Sequence, residues 1–208
     1  MTPAAPSWRD RRRSWRASPF TAFDVETTGL DPARDDVISF GAVPVEDGQI
    51  VMAGSAYELV RPRRSPSPTS VVVHGLRTQD LLDAPELDVT RRRLTELLAG
   101  RFLLTWYGSV ENAFLSKLFG GHPRARWWAR RNVDVRGLAI ESGLGSDGSL
   151  GLSAVAARLG VPVEDPHHAL DDALVTAQLF LMLATRRSED RGSVRSLLRG
   201  GRTRSRGR

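Results

Sequence analysis

The stretch FDVETTGL at residues 23–30 combines the end of an apolar run with two acids and a Thr-Thr-Gly turn. Residues 20–25 are mostly apolar and predict a short strand that ends among the acids. Side chains two apart on a strand share a face, so Asp24 and Glu26 project together. Two adjacent carboxylates repel unless a cation lies between them, and magnesium prefers oxygen ligands. Taken alone the pattern favours solvated surface acids; the strand before it and the turn after it favour a metal site.

A second group of polar residues lies in PHHALDDALVTAQLF at residues 166–180. On a helical wheel Asp171 shares a polar strip with Gln178, whereas Asp172 lies on an otherwise apolar side. A buried carboxylate must be paired, neutralised or bound to metal, so Asp172 is the functional candidate and Asp171 a surface acid. His167 lies just before the predicted helix and is a candidate general base, with an ordinary loop histidine as the alternative. We expect His168 to make a contact at the helix start.

The size and composition of the chain exclude several classes of protein. Its 208 residues and 22.9 kDa suit one domain with one or two tails. There is no cysteine, which excludes disulfide frameworks, thiolate zinc sites and cysteine nucleophiles. The longest apolar stretch, residues 173–184, is too short to span a membrane, and no secretory signal is visible. We therefore expect a soluble, cytoplasmic protein with no membrane partner.

Basic charge is concentrated at both ends of the chain. The formal net charge is +6, which by itself suggests a nucleic-acid partner. Residues 1–18 carry five Arg and one Asp, and residues 186–208 carry nine Arg and two acids, so the segment between them is net acidic. We predict a basic disordered arm at 1–18, a folded domain at 19–185 and a basic Arg/Gly/Ser tail at 186–208. Solvated tails are the alternative to tails that contact nucleic acid.

The pattern between the tails predicts a mixed α/β domain. After the first strand, residues 37–45 and 50–60 predict a hairpin whose turn contains Asp47-Gly48. Residues 61–70 are rich in Pro and Ser and predict a loop. Another strand is expected at 101–107, with helices at 87–98, 110–119, 135–141, 152–159 and 169–184. Strands first and helices afterwards predict a mixed sheet covered by helices.

The two acidic motifs resemble those of the DEDDh 3′–5′ exonucleases, which include the epsilon proofreading subunit of DNA polymerase III, ribonuclease T and oligoribonuclease. The resemblance rests on Asp-x-Glu-Thr-Thr-Gly near the start and His-x-Ala-x-Asp-Asp-Ala near the end. It covers roughly residues 20–184, with SFGAVPVEDGQI, VVVHGLRTQDLLDAP and NVDVRGLA fitting in order between the two motifs. Several ordered motifs in one domain make the resemblance specific.

The resemblance implies a ribonuclease H-like fold, a mixed five-stranded sheet flanked by helices. It also implies two divalent cations, Mg²⁺ or Mn²⁺, held by Asp24, Glu26 and Asp172, with His167 deprotonating the attacking water. Two such ions can stabilise both the attacking and the leaving oxygen of an in-line phosphoryl displacement. Several carboxylates are needed to hold that positive charge.

The chain departs from the family at the second motif. Alignment on Phe114 and Leu115 puts Glu111 at the position of the family's Asp, while Trp106 and Tyr107 occupy its His-Asn positions. Glutamate reaches one methylene further and still offers oxygen to a metal, and its charge is favoured near a helix N-terminus. We expect Glu111 to be the fourth metal ligand; an ordinary glutamate in the first turn of a helix is the alternative. The two aromatic residues could stack a base or belong to the core.

The resemblance also implies a set of substrate contacts. We expect Thr27, Thr28, Gly29 and Leu30 to hold the 3′-terminal nucleotide, with Leu30 packed on its base. His74 resembles a histidine on the substrate side of the family's site, with a structural turn residue as the alternative. Phe114 is assigned as a stacking residue, although core packing is the stronger reading of that position.

The leading hypothesis is a metal-dependent 3′–5′ exonuclease that releases nucleoside 5′-monophosphates from single-stranded nucleic acid 3′ ends, with DNA favoured. One alternative is an exoribonuclease of the same fold, because the sequence does not show whether the site has room for a 2′-hydroxyl. The other is a catalytically degenerate module that binds nucleic acid or a polymerase. A DNA polymerase is a candidate partner, and the resemblance leaves both a homodimer and a subunit of a complex open.

Overall fold

A mixed sheet organises the part of the chain that the computed structural model describes, which is residues 8–120, 128–146, 150–188 and 192–200. Residues 1–7 and 201–208, the outer parts of the two predicted tails, lie outside it. The strands are β1 (Phe20–Thr27), β2 (Val37–Glu46), β3 (Gln49–Ile50), β4 (Ala56–Leu59), β5 (Phe102–Thr105) and β6 (Asn132–Asp134). The helices are α1 (Pro68–His74), α2 (Leu87–Leu97), α3 (Gly108–Leu118), α4 (Val135–Glu141), α5 (Leu152–Leu159), α6 (Ala169–Ser188) and α7 (Val194–Gly200).

The strand order is β3-β2-β1-β5-β6, with β4 also pairing with β2. β1 is antiparallel to β2 and parallel to β5, and β5 is parallel to β6. The predicted mixed, ribonuclease H-like sheet is therefore confirmed. It has six strands and not five, because the 3₁₀ turn Met52–Gly54 divides the strand predicted at 50–60 into β3 and β4.

The sheet buries apolar side chains on both faces. Phe20 and Ala22 of β1 belong to one core cluster, which includes Phe180 of α6. Phe23, the next residue along, points to the other face and joins a cluster that includes Phe114 of α3. Because side chains alternate along a strand, Asp24 and Glu26 continue the α6 face of β1. The face that is apolar at the start of the strand is acidic at its end.

Helix α6 packs along β1 and β2 and is buried over most of its length. Its first turn lies near the acidic end of β1, and its apolar residues then follow the sheet toward the other end. Although α6 has 20 residues, no helix among the described ranges is long and apolar enough to cross a membrane.

The N-terminal segment differs from the disordered arm that its composition predicts. Residues 8–18 lie against the domain, starting with a 3₁₀ turn, Trp8–Arg12. Trp15 is 1% exposed, and its ring contacts that of Phe180 edge-on with centroids 5.6 Å apart. Burying one large aromatic ring offsets the polar composition around it, since apolar burial contributes about 25 cal/mol per Å². This segment is part of the folded domain.

The C-terminal segment differs in the same way. Residues 194–200 form α7, and Val194 and Leu197 are completely buried in the core cluster beside α6. The two chain ends are joined by backbone hydrogen bonds, from Trp15 N–H to the Gly192 carbonyl at 3.1 Å and from Val194 N–H to the Arg13 carbonyl at 3.2 Å. The folded domain therefore extends beyond the predicted limits of 19 and 185.

The loop predicted at 61–70 ends early, because α1 begins at Pro68. Ser67 caps this helix by accepting a hydrogen bond from the backbone N–H of Ser70 at 3.1 Å. Proline suits the first position of a helix, where its missing N–H has no partner to lose. The helix ends at Gly75 in the left-handed conformation, with φ of 75°. This short helix carries His74.

Candidate active site

Asp24 and Glu26 lie at the carboxyl end of β1. The antiparallel ladder pairs Asp24 with Gly41 and Glu26 with Ser39 of β2, and its register shifts directly after Glu26. Such a bulge bends the strand and redirects the side chains beside it. Glu26 is 9% exposed, and Asp24 is partly buried. Both carboxylates therefore lie away from bulk water at the end of the sheet.

Gly41 brings the first turn of α6 against these acids. A Cβ atom at Gly41 would overlap the carbonyl of Ala169 and the amide nitrogen of Leu170. Because Gly41 lies opposite Asp24 in the ladder, the close approach places the start of α6 beside β1. Asp172, in that first turn, is 8% exposed. A glycine inside a strand often marks such a close approach of backbones.

His167 lies at the sharp turn that precedes α6. Its backbone has a φ of 66°, in the left-handed region. Its backbone N–H donates a hydrogen bond to Oδ2 of Asp172 at 3.1 Å, so the turn and the carboxylate fix each other. The His167 side chain is exposed. The imidazole can therefore lie beside a buried carboxylate and still exchange protons with solvent.

Glu111 occupies the first turn of α3, at the end of β5. Its Oε1 accepts a hydrogen bond from the backbone N–H of Tyr107 at 3.1 Å. Its Oε2 is buried and has no hydrogen-bond partner within the described ranges. Burial raises the pKa of Glu111 to about 8, while backbone hydrogen bonds, including that from Tyr107, oppose the rise. A buried carboxylate oxygen without a partner is the kind of atom that a cation satisfies.

The electrostatics show that the four carboxylates form one group. Burial raises the pKa of Asp24 well above its ordinary value. The other three carboxylates, those of Glu111, Glu26 and Asp172, raise it further. Burial also raises the pKa of Glu26 to about 8, and the charge of Asp172 adds to the effect. Four acids that oppose one another's ionisation require compensating positive charge to be ionised together.

The donor set fits divalent cations. Glu26, His167 and Asp172 each offer one ligand atom, and these three atoms all lie within 4.8 Å of one another. The unsatisfied Oε2 of Glu111 and the carboxylate of Asp24 add oxygen donors to the group. Hard oxygen ligands in this number suit Mg²⁺ or Mn²⁺. Asp24, Glu26, Glu111 and Asp172 are the residues that would hold such ions.

Comparison with known families decides the class of this site. Residues 21–180 match the family RNase_T, described as Exonuclease, and this range contains all four carboxylates and His167. The chain belongs to this RNase_T exonuclease family. Enzymes of this family are nucleases that act on nucleic acid and depend on divalent metal.

The curated relatives of this chain are much longer proteins. It is 32% identical over 168 residues to a PolC-type DNA polymerase III of Thermotoga petrophila, covering 81% of this chain and 12% of that one. It is 24% identical over 184 residues to the PolC-type DNA polymerase III of Staphylococcus haemolyticus, again 12% of its length. The chain therefore spans about 12% of the length of these relatives.

Solved structures share the fold of this chain at low sequence identity. The nuclease domain of 3'hExo, a DEDDh family member, bound to rAMP, has a TM-score of 0.70 and 16% identity, covering 84% of this chain and 96% of that one. Exonuclease X in complex with 5′ overhanging duplex DNA has a TM-score of 0.67 and 20% identity, covering 88% and 99%. E. coli Exonuclease I in complex with a dT13 oligonucleotide has a TM-score of 0.68 and 17% identity, covering 81% and 41%.

The two adjacent histidines of this chain have different surroundings. His168 lies against Asp171, with Nδ1 2.8 Å from a carboxylate oxygen, and its ring is 4.2 Å from that of Tyr57. His167 shares the carboxylate group with Glu26. The structure therefore gives His168 the contact at the helix start that the sequence predicts, and leaves His167 at the candidate site.

Thr28 is engaged entirely inside the protein. Its hydroxyl donates to Oδ1 of Asp35 at 3.1 Å and accepts from the Asp36 N–H at 3.0 Å, while its own N–H donates to the Asp36 carbonyl at 2.9 Å. Its carbonyl accepts from the Ser67 N–H and the Ser70 hydroxyl, both at 3.0 Å. The expected direct contact of Thr28 with substrate is therefore corrected. At 1% exposure it instead ties the loop after β1 to α1.

The other residues of the Thr-Thr-Gly-Leu loop lie nearer the surface. Thr27 is 9% exposed, and its hydroxyl donates to the Gly29 carbonyl at 2.6 Å. A Cβ atom on Gly29 would lie 2.5 Å from a carboxylate oxygen of Asp35, so a larger residue there would displace that side chain. Leu30 is 92% exposed at the tip of the loop. An apolar side chain so exposed next to the site is available to pack on a base.

His74 lies at the end of α1 and faces His167. Its Nδ1 accepts a hydrogen bond from the backbone N–H of Leu76 at 3.0 Å, which places the proton of the neutral ring on Nε2. Burial lowers the pKa of His74, and the charge of His167 contributes to the lowering. The Nε2 atom is buried and unpartnered within the described ranges. The ring is thus held neutral, with one donor left over beside the site.

The aromatic residues near Glu111 divide between core and surface. Phe114 is completely buried in the core cluster under α3, so its expected stacking on substrate is corrected, because neither face of the ring is open. Trp106 is 4% exposed and also belongs to the core. Tyr107 is 41% exposed, and the Arg136 guanidinium lies 4.6 Å from its ring centroid. Of Trp106 and Tyr107, Tyr107 is therefore the one that reaches solvent.

Two supporting residues escaped the sequence analysis. Gly41 lies within the apolar run at 37–45, and a glycine inside a strand was a signal that backbones approach closely there. Asp35 organises the loop after β1 by accepting from the Thr28 hydroxyl and from the Asp31 N–H. Nothing in its local sequence distinguishes Asp35 from Asp31 or Asp36, because its role depends on how the loop closes.

The raised pKa values predict how stability depends on pH and metal. With chelator present, a glutamate loses its proton near 4.5 when unfolded, but Glu26 and Glu111 keep theirs until about 8 in the folded protein. The unfolded state then binds fewer protons, so their contribution to stability falls as pH rises from about 4.5 to about 8. Because Mg²⁺ binds the ionised form, it should stabilise the protein more at pH 8 than at pH 5. Urea unfolding with EDTA or Mg²⁺ at both pH values measures this.

The double variant Glu26→Gln/Glu111→Gln is the control for this experiment. Both replacements remove a titrating carboxylate, so the loss of stability toward pH 8 should become smaller than in wild type. The comparison cancels the opposite contribution of His74, whose lowered pKa stabilises the protein as pH rises through its own range. An identical pH dependence in wild type and the double variant would contradict the assignment of a buried, mutually repelling acid group.

Proposed function

We propose that this chain is a metal-dependent 3′–5′ exonuclease that hydrolyses the terminal phosphodiester bond of single-stranded 3′ ends and releases nucleoside 5′-monophosphates, with DNA favoured. The observation that carries the proposal is the convergence of Asp24, Glu26, Glu111 and Asp172 with His167 at one end of the sheet. DNA is favoured because the relatives are DNA polymerases and several structural neighbours carry DNA.

Two Mg²⁺ or Mn²⁺ ions held by the four carboxylates would supply the positive charge that stabilises the attacking and leaving oxygens of an in-line displacement. Water attacks the terminal phosphorus, the bond from phosphorus to the 3′-oxygen of the preceding nucleotide breaks, and the phosphate remains on the released 5′-mononucleotide. The protein's own residues must hold the terminal nucleotide and take up the proton of the water.

His167 is suited to accept that proton. Its turn is fixed by the hydrogen bond from its backbone to Asp172, so the ring has a defined position relative to the carboxylates. Its exposed edge lets the proton pass on to solvent after the reaction.

The loop after β1 is proposed to receive the terminal nucleotide. Leu30 would pack on the base, while Thr27 and the backbone of Gly29 lie close enough to the acids to meet the sugar. The unpartnered Nε2–H of His74 is suited to donate to an oxygen of the terminal nucleotide. Together these groups hold a free end, which favours removal of one nucleotide at a time.

The test measures mononucleotide release from 3′-ended single strands of DNA and RNA, with MgCl₂, MnCl₂ or EDTA. We expect nucleoside 5′-monophosphates to accumulate from the first turnovers with either metal, faster from DNA. Faster release from RNA would favour the alternative that the protein is an exoribonuclease. The structural neighbour bound to rAMP supports that alternative. Absence of metal-dependent release from both polymers would contradict the enzymatic proposal and favour the degenerate binding module.

A DNA polymerase is the proposed partner of this nuclease. The support is that PolC-type DNA polymerase III chains contain a segment 32% identical to this one over 168 residues. Such an enzyme would remove 3′ ends that the polymerase extends. Copurification of full-length chain with the replicative polymerase of the same cell tests the association, and elution of the two proteins apart at low salt would contradict it.

We expect His167→Ala to lower kcat by about 10²- to 10⁴-fold, the usual contribution of a positioned general base. The matched control is His168→Ala, one residue away, which removes an imidazole that contacts Asp171 and Tyr57. This control should keep kcat within about threefold, since a partly exposed contact of this kind stabilises by about 1 kcal/mol or less. Single-turnover rates with saturating metal distinguish the two variants, and equal losses would contradict the role of His167.

A further inference from the structure

Arginines gather at the end of the sheet that lies opposite the carboxylates. This surface, called here the basic edge, includes residues from the N-terminal segment, the starts of β5 and β6, the end of α6 and the start of α7. Its described arginines are Arg9, Arg11, Arg12, Arg13, Arg16, Arg101, Arg130, Arg131, Arg187 and Arg195. Among the residues that the structure describes, the acids at this end are Asp10, Glu46, Asp47 and Glu141, against the ten arginines of the basic edge.

The basic edge stands on folded chain and not on mobile tails. Trp15 is buried in the core, and the backbone bonds from Trp15 to Gly192 and from Val194 to Arg13 join the two terminal segments. Helix α7 packs against both the N-terminal 3₁₀ turn and β6. The side chains that composition alone assigns to two separate disordered tails therefore share one fixed surface.

Three of the acids at the basic edge, Asp10, Glu46 and Glu141, form ion pairs with its arginines. Glu46 forms an ion pair with Arg101, and Glu141 forms one with Arg187. Asp10 lies 3.5 Å from the guanidinium of Arg13. These pairs join Arg101, Arg187 and Arg13 of the surface to its own acids.

Arg11, Arg130 and Arg131 show the resulting crowding of positive charge. The Arg11 guanidinium donates a hydrogen bond to the Arg130 carbonyl at 3.0 Å, and its Nε is buried without a partner in the described ranges. Burial lowers the pKa of Arg131 to about 10, and the charges of Arg11 and Arg130 add to the lowering. Guanidinium groups held this close together are stabilised by a multivalent anion, which a chain of phosphates provides.

The geometry separates the basic edge from the chemistry. β1 runs from Phe20, beside the basic edge, to Glu26 at the carboxylates, about six residue steps of roughly 3.3 Å each, or about 20 Å. Helix α6 connects the same two ends, with Asp172 in its first turn and Arg187 in its last. A stacked strand advances about 3.4 Å per nucleotide, so a nucleic acid needs more than about six nucleotides to reach both places.

We infer that the basic edge is a second nucleic-acid site, which binds the phosphate backbone of the polymer whose 3′ end occupies the carboxylate site. The inference rests on the proposed function for the identity of the polymer. Nucleic acid is favoured over an acidic protein segment because the same domain must already bind a polyanion by its end. The site contributes affinity through charge, and its contribution depends on the length of the substrate and on salt.

The test compares Arg9→Gln/Arg130→Gln with the control Arg92→Gln/Arg158→Gln, which removes two exposed arginines outside the basic edge. Fluorescence anisotropy with a labelled twenty-nucleotide DNA in EDTA measures binding without turnover. We expect the first variant to bind roughly tenfold more weakly at low salt. The slope of the logarithm of its binding constant against the logarithm of the salt concentration should fall in magnitude by up to about two. The control should bind as wild type does, and unchanged urea midpoints would show that both variants are folded.

Turnover gives the second readout. With metal present, kcat/KM for a twenty-nucleotide substrate should fall in Arg9→Gln/Arg130→Gln, whereas kcat/KM for a four-nucleotide substrate should not change. If the Arg9→Gln/Arg130→Gln variant bound DNA as tightly as wild type does, the inference would be overturned. Polyglutamate serves as an acidic-protein probe in the same assay. If the variant lost binding to polyglutamate but kept binding to DNA, the inference would be overturned in favour of a protein-docking surface. Because binding is measured in EDTA, these outcomes are independent of whether wild type hydrolyses nucleic acid.

Discussion

Replacing Asp24 by Asn is expected to lower kcat by about 10³- to 10⁵-fold, one of the largest effects of a single substitution in this protein. Asp24 is the carboxylate whose ionisation all three other acids oppose, so it lies among them. Asparagine keeps its shape but removes the charge that would hold a cation. Losing about 4–7 kcal/mol of transition-state stabilisation corresponds to this range, since 1.36 kcal/mol is a factor of ten. Single-turnover release of mononucleotides measures the effect.

A stability measurement separates this loss from unfolding. In EDTA at pH 8, Asp24→Asn should be at least as stable as wild type, because the substitution removes one of four mutually repelling acids. The matched control is Asp83→Asn, a change of the same kind at an exposed residue, which should leave kcat and stability near wild type. Activity of Asp24→Asn within tenfold of wild type would contradict the assignment of the site.

Replacing Glu111 by Gln is expected to lower kcat by about 10²- to 10⁴-fold. Glutamine retains an oxygen that can accept the hydrogen bond from the Tyr107 N–H, so α3 should start as before. What the substitution removes is the charge, including that on the buried Oε2, which has no partner in the described ranges. If Glu111 helps to hold the ions, both kcat and the affinity for Mg²⁺ should fall, the latter measured by calorimetry.

Glu111→Asp is the conservative comparison, because it introduces the Asp that the family resemblance implies at this position. We expect it to retain activity within about tenfold of wild type, since it keeps the charge and shortens the reach by one methylene. If Glu111→Gln had the same kcat and the same affinity for Mg²⁺ as wild type, Glu111 would only cap α3. That result would make the second motif of this chain a true departure from the family.

The fold was largely predictable because its signals are local. The apolar run before Asp24, the Asp47-Gly48 turn and the helical spacing at 152–159 each depend on neighbouring residues, and the structure has a strand, a hairpin turn and a helix there. The 3₁₀ turn that divides β3 from β4 was missed, because its sequence continues the apolar pattern of a strand. Strand predictions fail in this way where tertiary pairing interrupts a continuous pattern.

The terminal segments show where composition misleads. Their Arg, Ser and Gly content is typical of disordered tails, yet Trp15, Val194 and Leu197 are buried. A few apolar residues are enough to order such a segment when they can pack against an apolar surface, here that of α6. No pattern within either segment reveals the other, because their pairing is a contact between the two ends of the chain.

The sequence by itself identified candidate residues for the site: two acids on one face of a strand, an acid on the apolar side of a helix, and a histidine just before it. Spacing along the chain defines such relations. The tertiary structure alone decided that Glu111 turns its unpartnered oxygen into the protein, that Thr28 supports the loop and does not face substrate, and that arginines from both ends form the basic edge. These depend on which surfaces meet, and on burial that no local pattern specifies.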